Sequence, residues 1–167
     1  VGELPNAFLC DSPCCALCGL AQSLARPRID EEGRLIWLPE LSQPALNALT
    51  RRVHLGLRGH GEGLETGGQP TTAAGDIPIL YQAGQALLAR KGEAETRLGT
   101  SDPSALADAL LRMSPAGFKR RDTLLGGVRL LPMGKLFEAE DDIYPRIVDS
   151  WQRAEAESNP EKQRGSR

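Results

Sequence analysis

All four cysteines of the chain fall in one short run, Cys10-Asp11-Ser12-Pro13-Cys14-Cys15-Ala16-Leu17-Cys18-Gly19. A disulfide framework spreads its cysteines along the sequence, because cross-links that close long loops remove the most entropy from the unfolded chain. Clustering favours a metal instead. Cys15-x-x-Cys18-Gly19 has the spacing of a zinc knuckle: two thiolates three residues apart in a tight turn can both face one ion, at Zn–S distances of ~2.3 Å. Gly19 suits that turn, since the backbone after the second ligand often takes a positive φ. A closed structural site takes four ligands. Either Cys10 and Cys14 join Cys15 and Cys18, which is crowded because adjacent cysteines share one tetrahedron poorly, or a second CxxC lies upstream of Val1. The competing reading is buried or reactive thiols. A thioredoxin-like redox CxxC, however, follows a strand in a βαβ unit, and the sequence has no such pattern.

The 167 residues are one domain by length, and 40 % apolar content suffices to bury a core. The net charge is −2, from 20 Lys+Arg against 22 Asp+Glu. A nucleic-acid binder driven by phosphate neutralisation reads strongly basic, so that class starts behind. Three Phe, two Tyr and two Trp are too few for a base-stacking platform. No apolar run approaches the ~18 residues of a membrane span, and no charged n-region precedes an apolar stretch as in a signal peptide. The chain opens Val1-Gly2-Glu3 rather than on Met, as a fragment or a processed product does.

Along the chain, residues 4–19 read as an irregular metal loop, followed by a short helix over 20–25 that stops before Pro27. Gly33 to Pro39 is a short apolar strand entered through the acidic turn Asp30-Glu31-Glu32. Ser42 is an N-cap with Pro44 in the first turn, and Leu46, Leu49, Val53 and Leu57 recur at helical spacing, with Asn47, Arg51, Arg52 and Arg58 on the polar faces. Residues 59–75 carry the glycines, threonines and Pro70 of a long flexible connection. They form no phosphate cradle, since neither a preceding strand nor a following Gly-Lys-Ser/Thr is present. One helix is expected over 77–98 and closes at Gly99. Another restarts at Ser101-Asp102-Pro103, with Ser101 or Asp102 as cap and Pro103 at the first helical position. A further helix is expected over 118–125, broken by Gly126-Gly127, and then an extended piece over 128–132. The last helix, 135–157, aligns Leu136, Ile143, Ile147 and Trp151 and is kinked at Pro145. The polar tail, 158–167, reads as disordered.

Catalytic constellations are not legible. His54 lies within an amphipathic helix, where a surface or partly packed role is the usual one, and His60 sits in the glycine loop without an obvious partner. The acidic runs 30–32 and 138–142 lack the glycine spacing of a calcium loop and read as solvated turns or helix ends. Asp11 is the only acidic residue inside the cysteine loop.

The stretch Leu35-Ile36-Trp37-Leu38-Pro39-Glu40-Leu41-Ser42-Gln43-Pro44-Ala45-Leu46-Asn47 resembles the DotN/IcmJ proteins of type IVB (Dot/Icm) secretion systems and related conjugation machines. Cys15-Ala16-Leu17-Cys18, Gly99-Thr100-Ser101-Asp102-Pro103, Arg129-Leu130-Leu131-Pro132 and Trp151 match in the same order, spanning nearly the whole chain. The resemblance implies an α+β, mostly helical protein: a zinc-knuckle, degenerate HNH-like N-terminal part on a helical body, in one domain over 1–157. It implies structural zinc at Cys15 and Cys18, with Cys10 and Cys14 as substitutes for the family's first cysteine pair or as bystanders. The implied function is a non-enzymatic adaptor subunit of a coupling complex, cytoplasmic and peripheral to the inner-membrane apparatus. Its partners are the C-terminal extension of a DotL-like coupling ATPase and other coupling-complex subunits, with neither membrane insertion nor nucleic acid. A hydrophobic groove between helices would receive the ATPase segment as a helix or a strand. The alternative is an HNH-like metal-dependent nuclease, which needs a metal-bound water and a base beside the cysteine loop, with Asp11 the only candidate there.

Overall fold

The computed structural model describes residues 15–158. Most of the expected metal loop, Cys10 and Cys14 included, and the tail from 159 onward lie outside the described residues. The chain is a small α+β protein, mainly helical, with two small antiparallel sheets. No helix among the described residues is long and apolar enough to cross a membrane.

The first helix begins inside the cysteine motif. α1 (Ala16–Gln22) starts directly after Cys15, so Cys18 lies in its first turn. This corrects the expected loop through Gly19 with a helix over 20–25. Leu17 and Leu20, three apart, are both buried, and a helical first turn is what puts them on one face. Gly19 is accordingly helical, its N–H donating to the Cys15 carbonyl at 3.0 Å, and it has no need of a positive φ.

A single turn, α2 (Ile29–Glu32), feeds strand β1 (Gly33–Trp37). The acidic turn is not solvated as expected. Asp30 accepts hydrogen bonds from the backbone N–H and hydroxyl of Ser104, and Glu31 pairs with Arg28 at 2.7 Å. Glu32, fully buried, takes the Arg26 guanidinium at 2.7 and 2.8 Å and the Phe137 N–H at 2.7 Å. A buried carboxylate persists only when it is paired and bonded in this way.

The long helix α3 (Gln43–Gly59) starts as the sequence predicts, with the Ser42 hydroxyl accepting from the Ala45 N–H at 3.3 Å. Its buried face differs from the expected one: Leu46, Val53 and Leu57 are buried, but so are Asn47, Thr50 and His54, while Leu49 is exposed. The expected 77–98 helix is two, α4 (Ile77–Ala89) and α5 (Lys91–Leu98), jointed at Arg90, whose carbonyl accepts from the Trp37 N–H. Next comes α6 (Pro103–Leu111), with Pro103 at its start but no side-chain bond from Asp102. Asp102 pairs instead with Arg34, and Asp30 supplies the carboxylate at that helix end. The region expected as one helix over 118–125 is two short pieces, α7 (Pro115–Lys119) and α8 (Arg121–Leu124).

Strand β2 (Val128–Pro132) pairs antiparallel with β1, Leu35 opposite Leu130 and Ile36 opposite Arg129. Leu35 and Leu130 enter a cluster with Leu20, Ile29, Ala94 and Leu106, while Ile36 and Leu131 enter another with Leu38 and Leu46. A ribbon buried on both faces explains the continuous apolar runs in these strands. A hairpin of β3 (Phe137–Glu138) and β4 (Asp141–Asp142) occupies the start of the expected final helix. The helix proper, α9 (Tyr144–Ser158), begins where the Asp142 carboxylate accepts from the Tyr144 N–H, with Pro145 in the first turn and not at a kink. Its inward stripe is Tyr144, Val148 and Trp151, packed on Val53 and Leu57 of α3.

Residues 60–75 have no regular secondary structure, Gly59 closing α3, but they are pinned, contrary to the expected flexible connection over 59–75. The buried Glu62 carboxylate accepts from the N–H and hydroxyl groups of Thr71 and Thr72 at 2.7 to 3.1 Å and from the Tyr81 hydroxyl at 3.3 Å. Those bonds, the Thr71 N–H foremost, hold its pKa down to about 2. Further along, Gly134, at φ +83°, passes so close to the Leu64 carbonyl that a Cβ would lie 1.9 Å from its oxygen. Only glycine allows that crossing.

Candidate functional site: the cysteine pair, a buried histidine relay and a leucine groove

Two of the four sequence-predicted ligands lie among the described residues. Cys15 caps α1 and is exposed, Cys18 is half-buried, and their sulfurs are 3.3 Å apart. That is far beyond a disulfide bond of ~2.05 Å and close enough for one ion to touch both. Among the described residues no group of three or more His, Cys, Asp or Glu gathers around a common point.

What stands behind Cys18 was not visible in the sequence. The Asn47 Nδ2 donates to Cys18 Sγ at 3.4 Å. The orientation of that amide is fixed from the sheet. Gln43 lies beside β2 as a third strand would, its Oε1 accepting from the Leu130 N–H at 2.9 Å and its Nε2 donating to the Leu130 carbonyl at 2.8 Å. The same Nε2 donates to Asn47 Oδ1 at 2.9 Å, so Asn47 has only its N–H₂ left to face the sulfur. The arrangement presents a donor to Cys18, which suits a sulfur carrying negative charge.

One and two turns further along the same face of α3 lie Thr50 and His54. The Thr50 hydroxyl is buried and has no partner among the described residues. His54 is 1 % exposed and bonded at both nitrogens. Thr66 Oγ1 donates to the Pro132 carbonyl at 2.8 Å, so at 3.3 Å it accepts from His54 Nε2–H. His54 Nδ1 is therefore the acceptor of the Tyr144 hydroxyl at 2.6 Å. Burial pushes the His54 pKa down to about 4, so the imidazole is neutral. Tyr144 is held well above the usual phenol range by burial first, then by the nearby charges of Cys15 and Asp142. This relay corrects the expectation of a surface or partly packed His54. His60 is exposed, its Nδ1 2.9 Å from the Gly56 carbonyl oxygen. Asp11, the acidic residue of the cysteine loop, lies outside the described residues.

A third feature is a groove of about 300 Å³ on the outer side of the β1–β2 ribbon. Leu24 of the α1–α2 connection, Leu106 and Leu110 of α6, Leu125 and Leu130 line it, with Gln43, Arg121, Asp122 and Arg129 as its polar groups. Both outer edges of the ribbon are already occupied. Leu35 N–H donates to the Ser101 carbonyl and Trp37 N–H to that of Arg90. On β2, Leu125 O takes the Val128 N–H, Gln43 takes both groups of Leu130, and Thr66 takes the Pro132 carbonyl.

Comparison with protein-family models and with curated proteins gives no match.

Proposed function

We propose that the chain is a non-enzymatic, zinc-stabilised adaptor that holds a segment of a coupling ATPase of the type IV secretion or conjugation class. The observation that carries this reading is the leucine-lined groove, an open apolar recess of the kind that receives a partner segment. The sequence resemblance from Leu35 to Asn47 supplies the partner class, and the residues that carry it shape the same region: Leu35 and Gln43 both line the groove. On this reading the N-terminal part is a degenerate HNH-like knuckle, Cys15 and Cys18 are two of the zinc ligands, and Cys10 and Cys14 complete the set. The 3.3 Å sulfur separation and the Asn47 donor fit a shared thiolate-bound ion. The ion is structural, holding α1 against α3 beneath the groove. The adaptor acts in the cytoplasm, at the inner-membrane apparatus, with the other coupling-complex subunits as further neighbours.

The nuclease reading requires a base free to take a proton beside the metal. His54 is neutral, enclosed and bonded at both nitrogens, and Glu62 is spent on five donors. The test is plasmid nicking by the full chain with Mg²⁺ or Mn²⁺. No cleavage above buffer is expected. Robust cleavage that disappears in Asp11→Ala would replace the adaptor with a nuclease.

A further inference from the structure

We propose that the groove takes an acidic amphipathic helix of the partner protein; this rests on the adaptor reading and adds the chemistry and conformation of what is bound. Three observations lead there.

The first is conformation. A strand binds by pairing with an exposed sheet edge, and its main-chain hydrogen bonds supply the affinity. Here the N–H groups on the outer edge of β1 are bonded to the Ser101 and Arg90 carbonyls, and the edge of β2 is capped at Val128, Leu130 and Pro132. An added strand would have to displace Gln43, which also orients Asn47. A helix satisfies its own backbone and needs only apolar contact, so it is the conformation the groove accepts.

The second is the apolar surface. Leu106, Leu110, Leu125 and Leu130 line the recess, and on the two flanking helical segments Leu111 and Leu124 stand 58 % and 51 % exposed. Leucines on two opposed walls match the i, i+3, i+4, i+7 stripe of one amphipathic helix.

The third is charge. Between Asp108 and Leu125 the chain has Arg112, Lys119, Arg120 and Arg121 against Asp108 and Asp122, a local excess of two positive charges in a protein of net charge −2. Lys119 and Arg120 are exposed, and neither has a carboxylate within ion-pair distance among the described residues. Arg129 is held by the carbonyls of Leu41, Gly126 and Val128, which orient its guanidinium without neutralising it. Arg121 donates to the Phe118 carbonyl at 3.0 Å and lies over the Phe118 ring, and the carboxylate of Asp122, which also lines the groove, is 3.8 Å away. Two arginines against one aspartate in the lining, with exposed Lys119 and Arg120 just before Arg121 in the chain, select glutamate and aspartate on the flanks of the incoming helix.

The test uses the full chain and two fluorescein-labelled model peptides of about 15 residues, each with one leucine stripe at helical spacing. One carries Glu on its polar face and the other Lys. The Glu peptide is expected to bind about 10-fold or more tightly than the Lys peptide, with a preference that shrinks as salt is raised. Lys119→Glu with Arg120→Glu should abolish the preference, and Leu124→Glu should weaken both peptides. All three positions are exposed, so these variants fold. Equal binding, a preference for Lys, binding of neither peptide, or insensitivity to the variants would each overturn the proposal. The adaptor reading falls separately, if the native partner is absent from the purified assembly.

Discussion

Cys15→Ser and Cys18→Ser are each expected to lose bound zinc and to unfold at least the N-terminal third of the chain. The reason lies in how little else holds α1. It is seven residues long, below the ~12 at which helices hold on their own, and it has neither a side-chain N-cap bond nor an acidic first turn. Yet it delivers Leu17 and Leu20 to two different apolar clusters, so its loss opens both. Binding of structural zinc is folding free energy, of order 10 kcal/mol in small zinc domains. On the proposed zinc site, removing either thiolate forfeits most of that, and Cys18→Ser also replaces the sulfur that accepts from the Asn47 amide. Metal content by elemental analysis and hydrogen exchange over residues 15–60 read the two consequences separately. Unchanged metal content and melting in both variants would show that the pair is not a metal site.

Acid should destabilise the fold well before the carboxylates titrate. His54 has a pKa of about 4 in the native protein against 6.5 in the unfolded chain. Between those values the unfolded state takes up a proton that the buried imidazole refuses, so protons favour unfolding. Stability is complete above pH 6.5 and falls as the pH drops, at about 1.4 kcal/mol per unit, for a total of about 3 kcal/mol by pH 4. Protonation at Nδ1 would also remove the acceptor of the Tyr144 hydroxyl, joining α3 to α9 at 2.6 Å. Glu62 extends the loss downward. Its folded pKa near 2 lies below the unfolded 4.5, so its contribution is present above 4.5 and disappears towards 2. Denaturant titrations of the native sequence and of His54→Gln across this range check the account. A flat profile for the native sequence between pH 6.5 and 4, or the same slope in His54→Gln, would contradict it.

The sequence made the local chemistry legible wherever it was decided locally. The Ser42 cap, the Pro44 first turn, the Pro103 restart and the closure at Gly99 all depend on residues within one turn of each other. The apolar pieces around Leu35 and Leu130 were recognisable as extended segments, but their pairing spans nearly a hundred residues and has no local signature. Polar residues misled for a related reason. Asn47 and His54 look like solvent-facing positions of an amphipathic helix until Cys18 of α1 and Thr66 and Tyr144 arrive from elsewhere to satisfy them. Their spacing with Thr50, three and seven residues on from Asn47, is the one signal that could have marked a buried polar stripe. The continuous final helix failed because helical periodicity at Leu136 and Ile143 did not register the turn at Ala139, whose φ of 53° breaks it. In the groove, the leucines were visible as helix core positions, but the recess between them exists only after α6 and α8 are set against the ribbon.

The measurement that bears most directly on the adaptor reading is a pull-down of the tagged full-length chain from its native host, with the co-purifying proteins identified by mass spectrometry. The account predicts a membrane ATPase with a long C-terminal tail in near-equal amount, lost when that tail is truncated. Recovery of the chain alone, or with nucleic acid in place of such an ATPase, would contradict it.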